Sequence, residues 1–199
     1  MFKVVLVGRP NVGKSTLFNR LVSSQKAIVN DQPGVTRDRK YGQASLVDLN
    51  FILVDTAGID DSLKGNTENK ILQQSQLAIN DANIIFFVID GREGVLPIEK
   101  TYAKSLKKQN KPVIVLINKS EGSKGLIGLS EATSLGFDDI IPVSAEHGEG
   151  LPDLYDVLRY YFETENIPIN NSASLSDFEN HPIRVSIVGR PNTGKSTLV

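Results

Sequence analysis

Gly8-Arg9-Pro10-Asn11-Val12-Gly13-Lys14-Ser15 sets two glycines, a lysine and a serine between a short apolar run, Val4 to Val7, and a helical pattern of apolar residues, Leu17, Phe18 and Leu21. Glycines at that spacing let successive backbone N–H groups turn inward, and the helix N-terminus behind them adds partial positive charge. Lys14 can then reach the outer oxygens of a polyphosphate, and the Ser15 hydroxyl can ligate the Mg²⁺ that bridges them. The chemistry on offer is polyphosphate binding.

Other stretches could complete it. Asn30 to Asp38 is a polar loop with Pro33-Gly34 and no periodicity, and its Thr36 could close a Mg²⁺ shell when a third phosphate is present. Asp55-Thr56-Ala57-Gly58 ends an apolar strand. Its aspartate could hold Mg²⁺ through water, and Gly58 could bring a backbone N–H to the terminal phosphate. Asn118-Lys119-Ser120-Glu121 ends another such strand, and Ser144-Ala145 a third. An asparagine and a lysine flanking a purine, with an acid two residues on, suit the donors on guanine's edge.

The elements that must position these residues alternate. Strands are predicted at Val4 to Val7, Gln43 to Val47, Phe51 to Val54, Ala82 to Asp90, Pro112 to Ile117 and Asp139 to Val143. The second and third, joined by Asp48-Leu49-Asn50, are antiparallel neighbours. Helices are predicted from Lys14 to about Val22, Asn66 to Asn80, after Asp90 to about Gln109, Leu129 to Leu135 and Leu151 to Phe162. Chemistry-bearing loops at strand carboxyl ends indicate an open, mostly parallel α/β sheet.

Val185 to Leu198 reads V-S-I-V-G-R-P-N-T-G-K-S-T-L, nearly repeating Val4 to Leu17, with Gly189, Gly194, Lys195 and Ser196 in the places of Gly8, Gly13, Lys14 and Ser15. The separation is that of a whole domain rather than a solenoid repeat. The expected organisation is a nucleotide-binding domain over 1–162, a partly disordered linker over 163–182, and the strand and phosphate loop of a second domain over 183–199.

Composition narrows the options. A chain of 199 residues, 40% hydrophobic and 23% charged, suits one globular core and a tail. Net charge −1 gives no overall electrostatic reason to bind nucleic acid. With no cysteine there is no thiolate zinc site, and His147 and His181 form no cluster. No apolar run reaches membrane-spanning length and the N-terminus has no signal-peptide pattern, so no membrane partner and a cytoplasmic location are expected.

The ordered set G-x-x-x-x-G-K-S, loop threonine, D-T-A-G, N-K-x-E and S-A resembles the translation-factor class of GTP-binding proteins from about Met1 to Phe162. Within that class, P-G-V-T-R-D and the paired G-R-P-N-V-G-K-S and G-R-P-N-T-G-K-S are similar to the Der (EngA) GTPases. The resemblance implies a Ras-like P-loop fold: a six-stranded, mostly parallel sheet with helices on both faces. It implies two successive GTPase domains and a C-terminal KH-like domain, acting in assembly of the large ribosomal subunit. It implies nucleotide contacts from Asn11, Val12, Gly13, Lys14, Ser15 and Thr16, Mg²⁺ at Ser15 and Thr36 with Asp55 acting through water, and catalytic roles for Lys14, Thr36 and Gly58. It also implies guanine contacts from Asn118, Lys119 and Glu121, with Ser144 and Ala145 behind the base. The rivals are a domain that holds nucleotide with little turnover, a single-domain relative such as Era or the tRNA-modification GTPases, and a P-loop ATPase.

Two departures bear on function. The class usually has aspartate where this chain has Glu121; the extra methylene shifts the fork, so guanine specificity is expected with affinity weakened by ~1 kcal/mol. Ras-like proteins place glutamine after the D-x-x-G glycine to orient the attacking water, and here that position is Ile59. Slow intrinsic turnover follows. Relatives with asparagine in the phosphate loop use K⁺, and Asn11 matches that asparagine, so K⁺-stimulated hydrolysis is expected.

Overall fold

A computed structural model describes residues 2–22, 40–56, 76–122 and 125–169. Thr36, Ala57, Gly58, Ile59 and the second phosphate-loop motif lie outside them.

The strands are β1 (Lys3–Val7), β2 (Lys40–Leu46), β3 (Leu49–Asp55), β4 (Ile84–Asp90), β5 (Val113–Asn118) and β6 (Asp139–Pro142). They form a six-stranded sheet in the order β2-β3-β1-β4-β5-β6. Only the β2/β3 pairing is antiparallel. The helices are α1 (Lys14–Leu21), α2 (Pro97–Leu106), α3 (Gly125–Ala132) and α4 (Leu151–Thr164), with a further helical stretch at 76–81. The six-stranded, mostly parallel α/β sheet is the fold class expected.

Strand alternation divides the core into two layers. Val4 and Leu6 of β1 face one side, where Leu17, Phe18 and Leu21 of α1 and Leu154, Leu158 and Phe162 of α4 pack. Val5 and Val7 face the other, where Ala78 and Ile79, Tyr102 and Leu106 of α2, and Ala132 of α3 pack. All of β4 and β5 is buried, as central parallel strands covered on both faces must be. The chain runs from β1 to β3 on one side and to β4 on the other. The carboxyl end of β1 is therefore a switch point, where a crevice opens above the sheet.

Some boundaries shift. The β2/β3 connection is Val47 and Asp48 alone, because Leu49 is fully buried and pairs with Leu46. Val47 adopts φ 56°, the left-handed conformation that a two-residue hairpin loop demands. The helix expected at Leu129 to Leu135 starts earlier, at Gly125, and ends in a 3₁₀ turn, Thr133–Leu135. At the other end α4 continues past Phe162 to Thr164, and Ile167 and Ile169 pack on the core, so the first compact unit is Met1–Ile169. Ile167 and Ile169 are isolated apolar residues at the start of the polar stretch expected as linker, and they pack on the core; 170–182 lie outside the described residues.

Candidate nucleotide site

β1 ends at Val7, and Gly8 to Gly13 leads into α1. Gly13 sits at the N-cap with φ 96°, and no side chain caps the helix. The first-turn N–H groups thus receive no side-chain oxygen from the N-cap position. A Cβ on Gly13 would lie 2.1 Å from Asn118 Nδ2, and one on Gly8 (φ 148°) would lie 2.3 Å from the Val88 carbonyl oxygen. Both glycines are required by close approach as well as by φ. Asn11, at φ 65°, is exposed.

Lys14 is buried, and its ammonium donates to the carbonyls of Gly8 at 2.8 Å and Arg9 at 2.6 Å. It therefore lies folded along the loop, its charge fixed over the loop's own backbone. Beside it the Ser15 hydroxyl donates to Asp55 Oδ2 at 3.0 Å. Asp55 is fully buried, and Thr56 donates its hydroxyl to the Leu6 carbonyl at 2.7 Å, locking the end of β3 to β1. A hydroxyl and a carboxylate in contact at a phosphate loop are hard oxygen donors of the kind Mg²⁺ takes. Thr16 is exposed on the first turn of α1. Val12 is buried in the core, and its carbonyl accepts from Asn118.

The second half of the site rises from β5 and β6. Asn118 is buried and bridges two loops: Nδ2 donates to the Val12 carbonyl at 2.8 Å, and Oδ1 accepts from Ala145 N–H at 2.9 Å. Lys119, at φ 60°, donates to the Asn11 carbonyl at 2.9 Å and pairs with Asp90 Oδ2 at 2.6 Å. Ser120 donates to the Val143 carbonyl, and Ser144 accepts from His147 N–H. Gly13, Thr16, Arg92, Asn118, Lys119, Glu121, Ser144, Ala145 and Glu146 line a cleft of about 140 Å³. The five residues expected around a purine base thus share one cleft with the phosphate loop.

Glu121 is held from one side by Arg92, whose Nη2 bonds Oε1. Oε2 is buried and makes no hydrogen bond of normal geometry among the described residues. The Ser144 hydroxyl first, then the Glu121 backbone N–H and Arg92, hold the carboxyl below its ordinary pKa against the opposing effect of burial.

Several residues that sequence reasoning passed over support this geometry. Asp90 ends β4 opposite Asn118, and its carboxylate takes Lys119 on one oxygen and Arg92 N–H at 2.9 Å on the other. An acid followed by Gly91-Arg92 at the end of an apolar strand was the available signal. Arg20 of α1 donates to the carbonyls of Ala145 and Glu146, tying the helix to the loop after β6. On the phosphate side Arg9 pairs with Glu93 at 2.6 Å and with fully buried Glu99 at 2.9 Å, whose other oxygen accepts Leu96 N–H at 2.8 Å. Burial alone would lower the Arg9 pKa, but the bonds to Glu99 and Glu93 outweigh it and raise it. Among the described residues no cluster of His, Cys, Asp and Glu could hold a metal by itself, and no helix is long and apolar enough to cross a membrane.

Residues 3–119 match the model of a family described as 50S ribosome-binding GTPase. Over all 199 residues the chain is 50% identical to GTPase Der of Bradyrhizobium sp. strain BTAi1, and it is 47% identical over 203 residues to GTPase Der of Rhodopseudomonas palustris strain BisB5. It spans 44% of the length of each. Among solved structures it is similar to Era in complex with MgGDPNP and a 16S ribosomal RNA segment, with TM-score 0.63 and 30% identity over 80% of this chain and 56% of that one. The G domain of the Thermotoga maritima FeoB iron transporter gives TM-score 0.61 and 26% identity over 81% of this chain and 98% of that one.

Proposed function

The chain belongs to the 50S ribosome-binding GTPase family, and from that premise we propose that residues 1–169 bind GTP with Mg²⁺ and hydrolyse it to GDP and phosphate, as a switch in assembly of the large ribosomal subunit. The observation that carries the reading is Asn118. One buried amide grips the phosphate loop through Val12 and the base loop through Ala145, so the two halves of a nucleotide site are a single hydrogen-bonded unit.

In this reading the phosphates lie on the N–H groups of Asn11 to Thr16. Lys14 serves the outer phosphate oxygens, its charge already fixed beside the loop. Ser15 and Asp55, in contact at 3.0 Å, would hold Mg²⁺, the serine directly and the aspartate through water, with Thr36 as the loop ligand. Bound there, Mg²⁺ neutralises charge developing on the transferred phosphoryl group. Asn118 and the aliphatic stem of Lys119 flank guanine, Glu121 accepts from its N1–H and 2-amino group, and Ser144 and Ala145 close the cleft behind it.

Hydrolysis needs a positioned water. Ile59 offers no polar side-chain atom for it, which supports slow intrinsic turnover, and Asn11, exposed in the phosphate loop, is the proposed K⁺ ligand. Phosphate release from GTP, measured in K⁺ and then in Na⁺, tests both ideas. Turnover at least tenfold faster in K⁺ is expected. Equal rates in the two salts would remove the K⁺ role, and tight GDP binding with no turnover in either would leave a nucleotide-holding regulatory domain. The large-subunit partner, and the second GTPase and KH-like domains expected alongside this one, belong to the longer protein. Co-sedimentation of that protein with large-subunit precursors, present with GTP and lost with GDP, is the corresponding test.

A further inference from the structure

The turn that follows β4, Asp90-Gly91-Arg92, touches both charged members of the base-recognition loop. Asp90 takes the Lys119 ammonium at 2.6 Å, and Arg92 takes Glu121 Oε1. The same aspartate accepts the Arg92 N–H at 2.9 Å, and Gly91 N–H donates to the Asn118 carbonyl at 2.7 Å. Backbone and side chain of one turn therefore hold all three residues of the Asn118-Lys119-Glu121 set.

This matters most for Glu121. Glutamate has one more rotatable bond than aspartate, so its carboxylate can take more positions relative to a base edge, and holding it in one costs rotamer entropy. A planar guanidinium that fixes one oxygen reduces that freedom, because the arginine fork is itself pre-organised. The Arg92 side chain is half exposed and that of Glu121 is 19% exposed, so the pair adds little to folding; its effect falls on orientation. Arg92 also lines the base cleft, so it acts where the ligand's edge would lie.

We propose that Arg92 is a specificity-determining positioning residue for guanine, which orients the Glu121 carboxylate toward the base's N1–H and 2-amino group. The proposal rests on the guanine-nucleotide reading given above and extends it. Arg92 touches Glu121, and its influence on the ligand passes through that carboxylate.

The experiment is a competition titration of GDP, IDP and ADP on the chain, its Arg92→Ala variant, the Glu121→Asp variant and the double variant. IDP keeps N1–H and lacks the 2-amino group, so the ratio of GDP to IDP affinity reads the orientation of the fork; a purely structural defect would weaken all three ligands alike. Arg92→Ala should weaken GDP about three- to fivefold, the scale of a half-exposed ion pair, and IDP, which keeps one of the two donors, by less, with ADP nearly unchanged and the melting temperature preserved. In the Glu121→Asp background, where the shorter side chain needs less restraint, removing Arg92 should have a smaller effect. An unaltered GDP to IDP ratio in Arg92→Ala, or equal losses for all three ligands, would overturn the role of Arg92 while leaving the guanine site standing. An unmutated chain that binds ADP as tightly as GDP would overturn the guanine reading, and the proposal with it.

Discussion

In the nucleotide site proposed above, the phosphate side and the base side of the cleft are built from different materials. Toward the phosphates the geometry is set largely by local backbone: a glycine-bounded turn, the first N–H groups of α1, and the carbonyls of Gly8 and Arg9 onto which Lys14 folds, with the Ser15 and Asp55 side chains in contact beside them. Toward the base the working groups are side chains, Asn118, Lys119 and Glu121, and each is held by other side chains or by distant backbone. Backbone geometry is set by residue spacing within one segment. Side-chain geometry is set by partners that folding brings from elsewhere. The first is rigid and tolerates no added atom, whereas the second is adjustable in small steps.

The sharpest break in that contrast comes from Gly13→Ala. A methyl group there meets Asn118 Nδ2 at 2.1 Å and imposes strain at φ 96°. Destabilisation of about 2–4 kcal/mol is expected, together with loss of GDP binding by at least a hundredfold. Thermal unfolding and nucleotide titration on the same preparation check both. A stable variant with normal affinity would show that the phosphate side is as adjustable as the base side.

Asn118→Ala comes next and asks whether the halves are separable. It strands the Val12 carbonyl and the Ala145 N–H, both on buried residues, at a cost of about 2–3 kcal/mol. Because the amide ties the base loop to the phosphate loop, affinity for ADP is expected to fall along with affinity for GDP. A variant that lost only the preference for guanine, with ADP binding unchanged, would show two independent half-sites.

The same contrast explains what was legible in the amino-acid order. The motif of the proposed phosphate loop is local, since Gly8, Gly13, Lys14 and Ser15 stand in one segment between a strand and a helix. The parallel sheet followed from the apolar runs that became β4 and β5, too uniformly apolar for anything but central strands. The members of the base loop were visible as residue types at a strand end. Their supports were not, because Asp90, Arg92 and Arg20 reach Lys119, Glu121 and Ala145 across long stretches of sequence, and such pairings appear only once β4, β5 and α1 stand side by side. Glu99 shows the limit most clearly: by composition it is one more surface acid near a helix start, yet it is fully buried, capping that helix and pairing with Arg9.

The smallest expected effect concerns the charge on the base side. Ser144 and Arg92 hold the Glu121 carboxyl below its ordinary pKa, so the folded form favours the ionised carboxylate more than the unfolded chain does. A group of this kind contributes stability above its unfolded pKa, about 4.3, and loses that contribution as pH falls through the lower folded value. Glu121→Gln keeps the shape and removes the charge. Urea unfolding of the two proteins side by side should therefore show a small deficit in the glutamine variant at pH 7, constant down to about pH 5 and closing below that. The phosphate side offers an internal contrast, since the backbone N–H groups of its loop do not titrate there. A deficit that stays constant through the acid range would mean that Glu121 gains nothing from its partners as a charge, and that Arg92 and Ser144 hold it by shape alone.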